Sequence, residues 1–441
     1  MLPLKTEGYS YLDYKENNLN LYDFSAKDII AQISTPSFLF LPDRFKKNFL
    51  SFEQQIKKYL PRFRMAYAVK ANYLGAVLKQ AKELGMSIEV MSYFEMMLAK
   101  EVGFDFTDMV FNGPAKSLEE LTFATDNNIF FLNVESENEL QNIEQIAQKK
   151  KKKQSISIRI HPEFPDKLEK KLLIKKNSKL GIDYHKAVKL YEYAKKSPYL
   201  DPVGIHVHVG TNLTDVEFYR ELLGFLNGYI TDLENKYDIR LQYINLGGGL
   251  ASKNTLDRAG FNIEDIGRTI KETINDYNER EFVFEPGRYL VGDSFVAFAK
   301  VLRTKKTWGR KWAYLNIGAN SLIPMRYSEY EALPVEYKGE GQYCNIGGPL
   351  CLPVDVLSND AVKYEIDEGD YLTILNCGAY TLSMSEQFGY PRPPVYELHE
   401  NGLINLIKKE DTIESMISES MYESTAPLHV LKKEKEDSEP I

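Results

Sequence analysis

Residues 65–92, MAYAVKANYLGAVLKQAKELGMSIEVMS, predict a strand, a helix and then a second strand. The two ends contain β-branched and aromatic residues, whereas the apolar residues in the middle recur at helical spacing. The alternation continues along the chain, and it predicts eight strands at residues 65–71, 88–92, 109–113, 129–134, 155–161, 203–209, 243–246 and 281–285. Eight strand–helix units in about 250 residues favour a closed (β/α)8 barrel of the TIM type, with an open doubly wound sheet as the alternative.

The pattern changes after residue 290. Residues 295–318, 343–357 and 369–380 are strand-like runs separated by glycine and proline, with little helical spacing. They predict a second, mostly antiparallel β domain. We therefore expect residues 1–35 to join the β domain, 36–290 to form the barrel, 291–425 to form the β domain and 426–441 to be a flexible, charged tail.

The composition favours a soluble protein over one that binds nucleic acid. The 441 residues include 55 Lys and Arg against 63 Asp and Glu, so the net charge is −8, whereas nucleic acid requires a basic surface. The three cysteines show no CxxC spacing, so neither a disulfide framework nor a metal site is expected. No signal-peptide pattern and no run of about 18 apolar residues occurs, so we expect a cytoplasmic protein that does not bind membranes.

In a barrel of this kind the active site lies at the carboxyl ends of the strands. The first predicted strand ends at Lys70, a residue type that is rarely buried without a partner. Each polar feature at these ends has an ordinary explanation when taken alone: a tight glycine turn, a structural histidine or a surface ion pair. Because they all lie at one end of the barrel, we expect one site that contains Lys70, His206, His208, Thr211, Gly247, Gly248, Gly249, Glu285 and Arg288.

These residue types indicate a phosphorylated aldehyde cofactor. Consecutive glycines expose backbone N–H groups, an arginine adds a two-pronged donor, and barrels often bind phosphate after strands seven and eight. A desolvated lysine amine is a candidate for a Schiff base. Together they predict pyridoxal 5′-phosphate (PLP), with Glu285 as the carboxylate that pairs with the pyridine nitrogen.

Six motifs in this order, AYAVKAN, HVHVGTN, INLGGG, EPGR, GGPLC and CGAY, resemble those of the fold-type III PLP-dependent decarboxylases. This family includes the diaminopimelate and ornithine decarboxylases, and it shares its barrel with alanine racemase. The resemblance covers roughly residues 36–400, and it implies PLP on Lys70 and a homodimer with shared sites. It also implies that His208 stacks on the ring, that Tyr380 contacts the cofactor, and that the phosphate region is held by Thr211, Gly247, Gly248, Gly249, Gly287 and Arg288.

The same resemblance implies the reaction. The α-carboxylate of an amino acid would leave through a Schiff base and a quinonoid carbanion, and Cys351 of a second subunit would return a proton to the α-carbon. A carboxylate at the ring nitrogen keeps that nitrogen protonated and favours decarboxylation, whereas racemases of the alanine type place an arginine there. An amino-acid racemase and a non-catalytic regulatory relative are the alternatives.

The substrate-binding residues depart from the family pattern. Diaminopimelate and ornithine decarboxylases carry an acidic residue directly after the reactive cysteine, and here Leu352 stands there. An alkyl side chain cannot offset a buried ammonium group, and GPLCLPVDVL is more similar to decarboxylases of natural-product and siderophore pathways. We therefore expect a modified, conjugated or carrier-protein-bound amino acid, with meso-diaminopimelate as the alternative if Asp355 reaches the distal amine. The expected substrate contacts are Arg288, Arg326, Leu352, Asp355 and Tyr380.

Overall fold

A computed structural model describes residues 8–164, 178–208, 210–323 and 330–420. All eight predicted barrel strands are present within these ranges, at Phe63–Ala68, Ser87–Val90, Met109–Phe111, Phe131–Val134, Gln154–His161, Leu200–His206, Tyr243–Asn245 and Glu281–Phe284. Each strand pairs in parallel with its neighbours, and the eighth also pairs with the first, which closes the ring. The prediction of a (β/α)8 barrel is therefore confirmed, and the open-sheet alternative is wrong.

Helices cover the outside of the barrel, and serine residues begin several of them. The side chains of Ser92, Ser117 and Ser136 each accept a hydrogen bond from the backbone N–H three residues later. Such caps satisfy an N–H group that lacks a partner within the helix, which fixes the point where each strand gives way to a helix. The helices of this part of the chain are Pro42–Lys57, Gly75–Glu83, Tyr93–Glu101, Leu118–Asp126, Glu137–Lys150, Tyr184–Lys196, Val216–Tyr237, Lys253–Ala259, Ile263–Thr273 and Arg288–Val291.

The second domain is a mixed sheet built around one long strand, Phe295–Thr307. Its other strands in the described part of the chain are Ser37–Phe40, Arg310–Leu315, Glu331–Pro334, Glu340–Gly347, Val356–Tyr364, Tyr371–Leu375, Val395–Leu398 and Ile404–Lys408. Six of the pairings that the structure describes in this sheet are antiparallel and two are parallel. The predicted second domain of mostly antiparallel strands is thus confirmed. A short helix, Ile413–Ser420, follows the last strand.

The strand Ser37–Phe40 corrects the predicted start of the barrel. It lies between Phe295–Thr307 and Val395–Leu398 in the second sheet, and all four of its residues are buried. An apolar strand paired on both edges belongs in the interior of a sheet, so residues 36–41 are part of the second domain and not of the barrel. The helix Pro42–Lys57 is the first element to pack on the barrel side.

The N-terminal residues form a small three-stranded sheet of Leu12–Lys15, Asn18–Leu21 and Phe24–Ser25, followed by the helix Ala26–Ile30. This segment shares a core with strands of the second domain, and the N–H of Leu19 donates to the carbonyl of Val335 at 2.8 Å. These contacts support our proposal that residues up to 35 join the β domain. The proposed tail, 426–441, lies outside the described residues.

Asp293 connects the N-terminal segment, the helix Pro42–Lys57 and the junction of the two domains. Its fully buried carboxylate bonds Arg44 at 2.6 Å and Asn48 at 2.7 Å, while the Tyr11 hydroxyl donates to its backbone carbonyl at 2.8 Å. Loss of one partner from a buried ion pair costs about 3–5 kcal/mol, so this network fixes how the domains meet. Within the described ranges, no helix combines the length and apolar character needed to span a bilayer.

Candidate active site

A ring of polar side chains lies at the carboxyl end of the barrel. Successive residues along each strand point alternately to the barrel interior and to the helices, and residues at the carboxyl ends belong to the catalytic face of such barrels. Every one of the eight strands contributes a polar or charged side chain, either near its carboxyl end or just after it: Lys70, Glu89, Asn112, Asn133, Arg159, His206, Asn245 and Glu285. The structure therefore brings the predicted Lys70, His206 and Glu285 together, and it adds five residues that sequence reasoning did not identify.

Lys70 lies in a single turn, Val69–Ala71, directly after the first strand. Its side chain keeps 32% of its exposure, and its ammonium group bonds the carboxylate of Glu89, whose side chain has no exposed surface. Burial by itself would lower the pKa of Lys70, but the nearby Glu89, Tyr380 and Glu285 outweigh that effect and raise it. The amine is therefore tolerated in this partly buried position because a carboxylate neutralises it.

Glu285 is the second buried carboxylate of the ring. Its Oε1 accepts a hydrogen bond from Asn245 at 2.7 Å, and its Oε2 accepts one from Asn112 at 3.0 Å. The Nε2 of His206 lies 3.6 Å from Oε2. Burial first, and then the negative charge of Glu89, raise the pKa of Glu285, so the protonation of this carboxyl group responds to its neighbours.

The loops after strands six and seven meet through His208 and the glycine triplet. The N–H of Gly248 donates to Nδ1 of His208 at 3.0 Å, and the N–H of Gly247 donates to Oδ1 of Asn245 at 2.8 Å. Two of the three glycine N–H groups are therefore paired with side chains of the protein, and the role of the triplet in holding the phosphate region remains a proposal. Burial, together with Arg159 and Lys70, lowers the pKa of His208 to about 3, so its ring is neutral.

The glycines allow these loops to approach one another. A Cβ atom on Gly248 would overlap the carbonyl oxygen of Glu285, and one on Gly249 would lie 2.5 Å from the carbonyl oxygen of Gly210. Gly249 also has a φ of +102°, a conformation that residues with a side chain rarely adopt. Thr211 is half-buried in the same group of loops.

Arg288 and Gly287 bring the eighth strand's loop against the Lys70 turn. A Cβ atom on Gly287 would lie 2.8 Å from Cβ of Ala71, so only glycine allows this approach without a shift. Arg288 is 8% exposed, and its buried Nε has no hydrogen-bond partner among the described residues. A buried donor without a partner is costly unless a ligand satisfies it, and a guanidinium group is suited to phosphate.

The second domain closes the site through Tyr380. The guanidinium carbon of Arg288 lies 5.1 Å from the centre of the Tyr380 ring. The Tyr380 N–H donates to the carbonyl of Ala71 at 2.8 Å, and the side chain of Asn72 donates to the carbonyl of Gly378 at 3.0 Å. The CGAY loop is thereby attached to the turn that carries Lys70.

The remaining predicted residues do not join the ring. Cys351 is exposed on a loop of the second domain, and Leu352 is 37% exposed. Asp355 is buried, and its two carboxylate oxygens accept the N–H groups of Ala319 at 2.6 Å and Leu350 at 2.7 Å. The expectation that Asp355 reaches a distal amine is not what the structure shows, because both oxygens hold the loop that carries Cys351. Arg326 lies outside the described residues.

These groups fit PLP. Lys70 offers an amine for the aldehyde, Glu285 offers a buried carboxylate for the ring nitrogen, and Arg288 offers the phosphate a donor that has no partner in the part of the chain that the structure describes. His208 presents a neutral ring that can lie against an aromatic cofactor. When PLP is bound, it acts as an electron sink for the electrons of a bond broken at the α-carbon.

The five additional residues had a signal in the sequence. Glu89 interrupts the apolar strand SIEV, Asn112 follows MVF, and Asn245 ends YIN. A polar residue in or after an otherwise apolar barrel strand points to the mouth when it lies at the carboxyl end. The same feature occurs in strands two to five as well as in strands one, six, seven and eight, so it predicts these five residues too.

Comparisons with known proteins agree with this site. The family model described as pyridoxal-dependent decarboxylase, pyridoxal binding domain, matches residues 46–292. A diaminopimelate decarboxylase from Aquifex aeolicus is 32% identical over 426 residues, which cover 95% of this chain and 100% of that protein. One from Methanocaldococcus jannaschii is 28% identical over 96% of this chain and 99% of its own length.

Solved structures give the same result. The crystal structure of the M. jannaschii diaminopimelate decarboxylase has a TM-score of 0.85 and 26% identity, and the match covers 96% of this chain and 100% of that one. The Helicobacter pylori diaminopimelate decarboxylase, complexed with L-lysine, has a TM-score of 0.79 and 28% identity, with coverages of 90% and 99%. Both domains are therefore shared with these enzymes.

Replacing Gly248 by alanine tests the close approach of the loops. We expect the added methyl group to push the seventh loop away from Glu285 and to lower PLP affinity about tenfold or more, since ring and phosphate contacts shift together. PLP titration of the apoenzyme, followed by visible absorbance, measures this. Gly224→Ala is the control, because that helical glycine has open space around its Cβ position. Native PLP affinity in Gly248→Ala would contradict the packing argument.

Two comparisons show the family of this chain. The family model matches more than half of the 441 residues, and the A. aeolicus relative aligns over nearly the whole chain. The relatives and structures named above are decarboxylases, so neither the racemase nor the non-catalytic alternative gains support. The chain belongs to the pyridoxal-dependent decarboxylase family, and it is a PLP-dependent carboxy-lyase of fold type III.

Proposed function

We propose that this enzyme removes one α-carboxylate of meso-diaminopimelate and leaves lysine. The observation that carries the proposal is the similarity to two enzymes named diaminopimelate decarboxylase, at 32% and 28% identity, over at least 95% of the chain. Such a length includes the β domain as well as the barrel. Our expectation of a modified or carrier-bound amino acid finds no comparable support, so the alternative replaces it.

The neighbouring structures supply a second argument. The diaminopimelate decarboxylases of M. jannaschii and H. pylori are each described in complex with L-lysine. Loss of CO2 from one end of diaminopimelate, with a proton taking its place, leaves lysine. We infer that the site of this chain accepts a molecule of the same length with an ammonium group at its distal end.

In this proposal the side chains of the ring hold and orient the reacting groups. Lys70 lies where its amine can carry the cofactor through a Schiff base. Glu285 keeps a proton on the ring nitrogen, because it is buried beside two amide donors. Arg288 anchors the phosphate, and His208 limits the ring to one plane.

The distal end of the substrate requires other residues. Leu352 cannot pair with an ammonium group, and the carboxylate of Asp355 is occupied by backbone N–H groups. We propose that Arg326 and Arg288 bind the carboxylates of the substrate and that Tyr380 borders the pocket. The proposed substrate is a free amino acid and therefore needs no carrier protein. We also propose that the enzyme is located in the cytoplasm.

We further propose a homodimer in which Cys351 enters the site of the second copy. Cys351 is exposed, and the loop that carries it is held in shape by Asp355. The neighbouring Leu352 and Val354 are 37% and 66% exposed, although both are apolar. A shaped loop with exposed apolar residues is suited to burial against another chain, where the thiol would deliver the proton that replaces CO2.

Turnover of free meso-diaminopimelate tests the proposed substrate. The purified enzyme with PLP should release CO2 and form lysine in equal amounts, with kcat/KM of about 10⁴ M⁻¹s⁻¹ or more. Chromatography of the product and CO2 capture measure the two yields. Lys70→Ala should form no lysine under the same conditions, which controls for uncatalysed loss. Efficient turnover of a conjugated diamino acid, without turnover of the free one, would contradict the proposal.

Mixing two inactive chains tests the shared site. Lys70→Ala and Cys351→Ala should each lose about 10²-fold or more in turnover, whereas their mixture should recover about a quarter of native activity. Half of the dimers in the mixture are mixed, and each of these has one site with both native residues. Sedimentation must show that mixed dimers form. Mixed dimers without any recovery would place Cys351 outside the partner's site.

A further inference from the structure

Asn112 joins the two buried carboxylates of the site. Its amide nitrogen donates to Oε1 of Glu89 at 2.7 Å and to Oε2 of Glu285 at 3.0 Å. All three side chains are buried. A primary amide has two hydrogen atoms, so this one bridge uses both of them. The carboxylate that binds the Lys70 ammonium and the carboxylate assigned to the ring nitrogen are thus held by one group.

The orientation of the Asn112 amide is fixed from two directions. Its carbonyl oxygen accepts a hydrogen bond from Asn133, which has no exposed surface and lies in the fourth barrel strand. The opposite orientation would place that oxygen against both carboxylates and lose three hydrogen bonds. The amide therefore points its hydrogen atoms at Glu89 and Glu285 and cannot exchange ends without a large cost.

Because of the surrounding charges, this bridge affects the protonation of Glu285. Burial and the charge of Glu89 raise the pKa of Glu285, while Lys70 and the amides of Asn245 and Asn112 lower it. Without a donor between them, two carboxylates in a buried site repel each other, and one of them takes up a proton. Lys70 interacts with both carboxylates and with Tyr380, Glu95 interacts with Glu89, and His206 lies 3.6 Å from Glu285. Arg159, His208 and Lys116 act in turn on His206, and Arg288 lies over the ring of Tyr380.

We propose that Asn112 is a positioning residue that keeps Glu285 ionised beside Glu89. In this arrangement the ion pair on Lys70 and the charge opposite the cofactor's ring nitrogen are linked through one amide. A change at Lys70, as when its amine binds the cofactor, alters the charge near Glu89 and therefore the tendency of Glu285 to take up a proton. The proposal depends on PLP as the cofactor and not on the identity of the amino-acid substrate.

The test is the pH dependence of PLP binding to the apoenzyme, which does not require turnover. A protonated Glu285 cannot stabilise the protonated ring, so affinity should fall in acid with a midpoint that follows the pKa of Glu285. PLP titrations between about pH 5 and pH 8 give this midpoint. All variants share the titration of PLP itself, so differences between chains report on the protein.

Asn112→Leu removes both hydrogen bonds to the carboxylates, together with the one accepted from Asn133, with little change in volume. We expect the midpoint to rise by about one to two pH units, the size of one lost hydrogen bond to a charged group. Glu89→Gln alone should lower the midpoint, because it removes the charge that opposes ionisation of Glu285. Adding Glu89→Gln to Asn112→Leu should bring the midpoint most of the way back to its native value, since the bridge is not needed when only one of the two carboxylates remains.

Glu95→Gln supplies the matched control. Burial and Glu89 raise the pKa of Glu95 to about 7, yet its carboxylate accepts the N–H of Met91 and not the amide of Asn112. Adding Glu95→Gln to Asn112→Leu should therefore leave the raised midpoint in place. If Asn112→Leu raised the midpoint only by a general loss of packing, neither Glu89→Gln nor Glu95→Gln would lower it again.

Three results would overturn the proposal. The first is an unchanged midpoint in folded Asn112→Leu. The second is a midpoint that stays raised when Glu89→Gln is added to Asn112→Leu, and the third is a midpoint that Glu95→Gln lowers as much as Glu89→Gln does in the same background. If Asn112→Leu does not fold, Asn112→Asp keeps the shape of the side chain and adds a third carboxyl group, so its midpoint should rise at least as far. If neither chain folds, Glu89→Gln decides, since a midpoint that rises in this variant contradicts the repulsion on which the proposal rests.

Discussion

The ion pair between Lys70 and Glu89 is the interaction on which the active site depends. A lysine amine inside a barrel mouth is unfavourable on its own, and a fully buried glutamate is equally unfavourable. Each therefore requires the other, and the free-energy cost of burying the two charges is small only while both are present. Glu89 in turn influences Glu285 by its charge and through the bridge of Asn112, so the protonation of Glu285 depends in part on this pair.

Close backbone packing gives the same ring its shape. The glycines at 248 and 287 allow the seventh and eighth loops to lie against Glu285 and against the Lys70 turn, at separations that no other residue permits. From the second domain, Tyr380 and Gly378 bond the residues beside Lys70. Asp293, at the junction of the two domains, bonds Arg44 and Asn48, and across the same junction Arg288 of the barrel lies over Tyr380 of the second domain.

Much of this architecture could be predicted from the sequence, because periodicity is local information. The eight strands and the placement of Lys70 and Glu285 at their ends follow from the alternation and from the geometry of closed barrels. The position of Ser37–Phe40 could not be predicted, since a four-residue apolar strand fits either sheet and only its pairing decides. Asp355 was misassigned because a carboxylate near a reactive cysteine gives no indication of which N–H groups it accepts.

The partners of the buried charges were also beyond the sequence. Glu89 and Asn112 are 23 residues apart and meet because the second and third strands pair, whereas Asn112 and Glu285 are 173 residues apart and meet only when the barrel closes. The most direct test of the account is to reduce the PLP-loaded protein with borohydride and to map the cofactor by peptide mass spectrometry. The account predicts one modified residue, Lys70, with the label lost in Lys70→Ala. A label on any other lysine, with Lys70 unmodified, would contradict it.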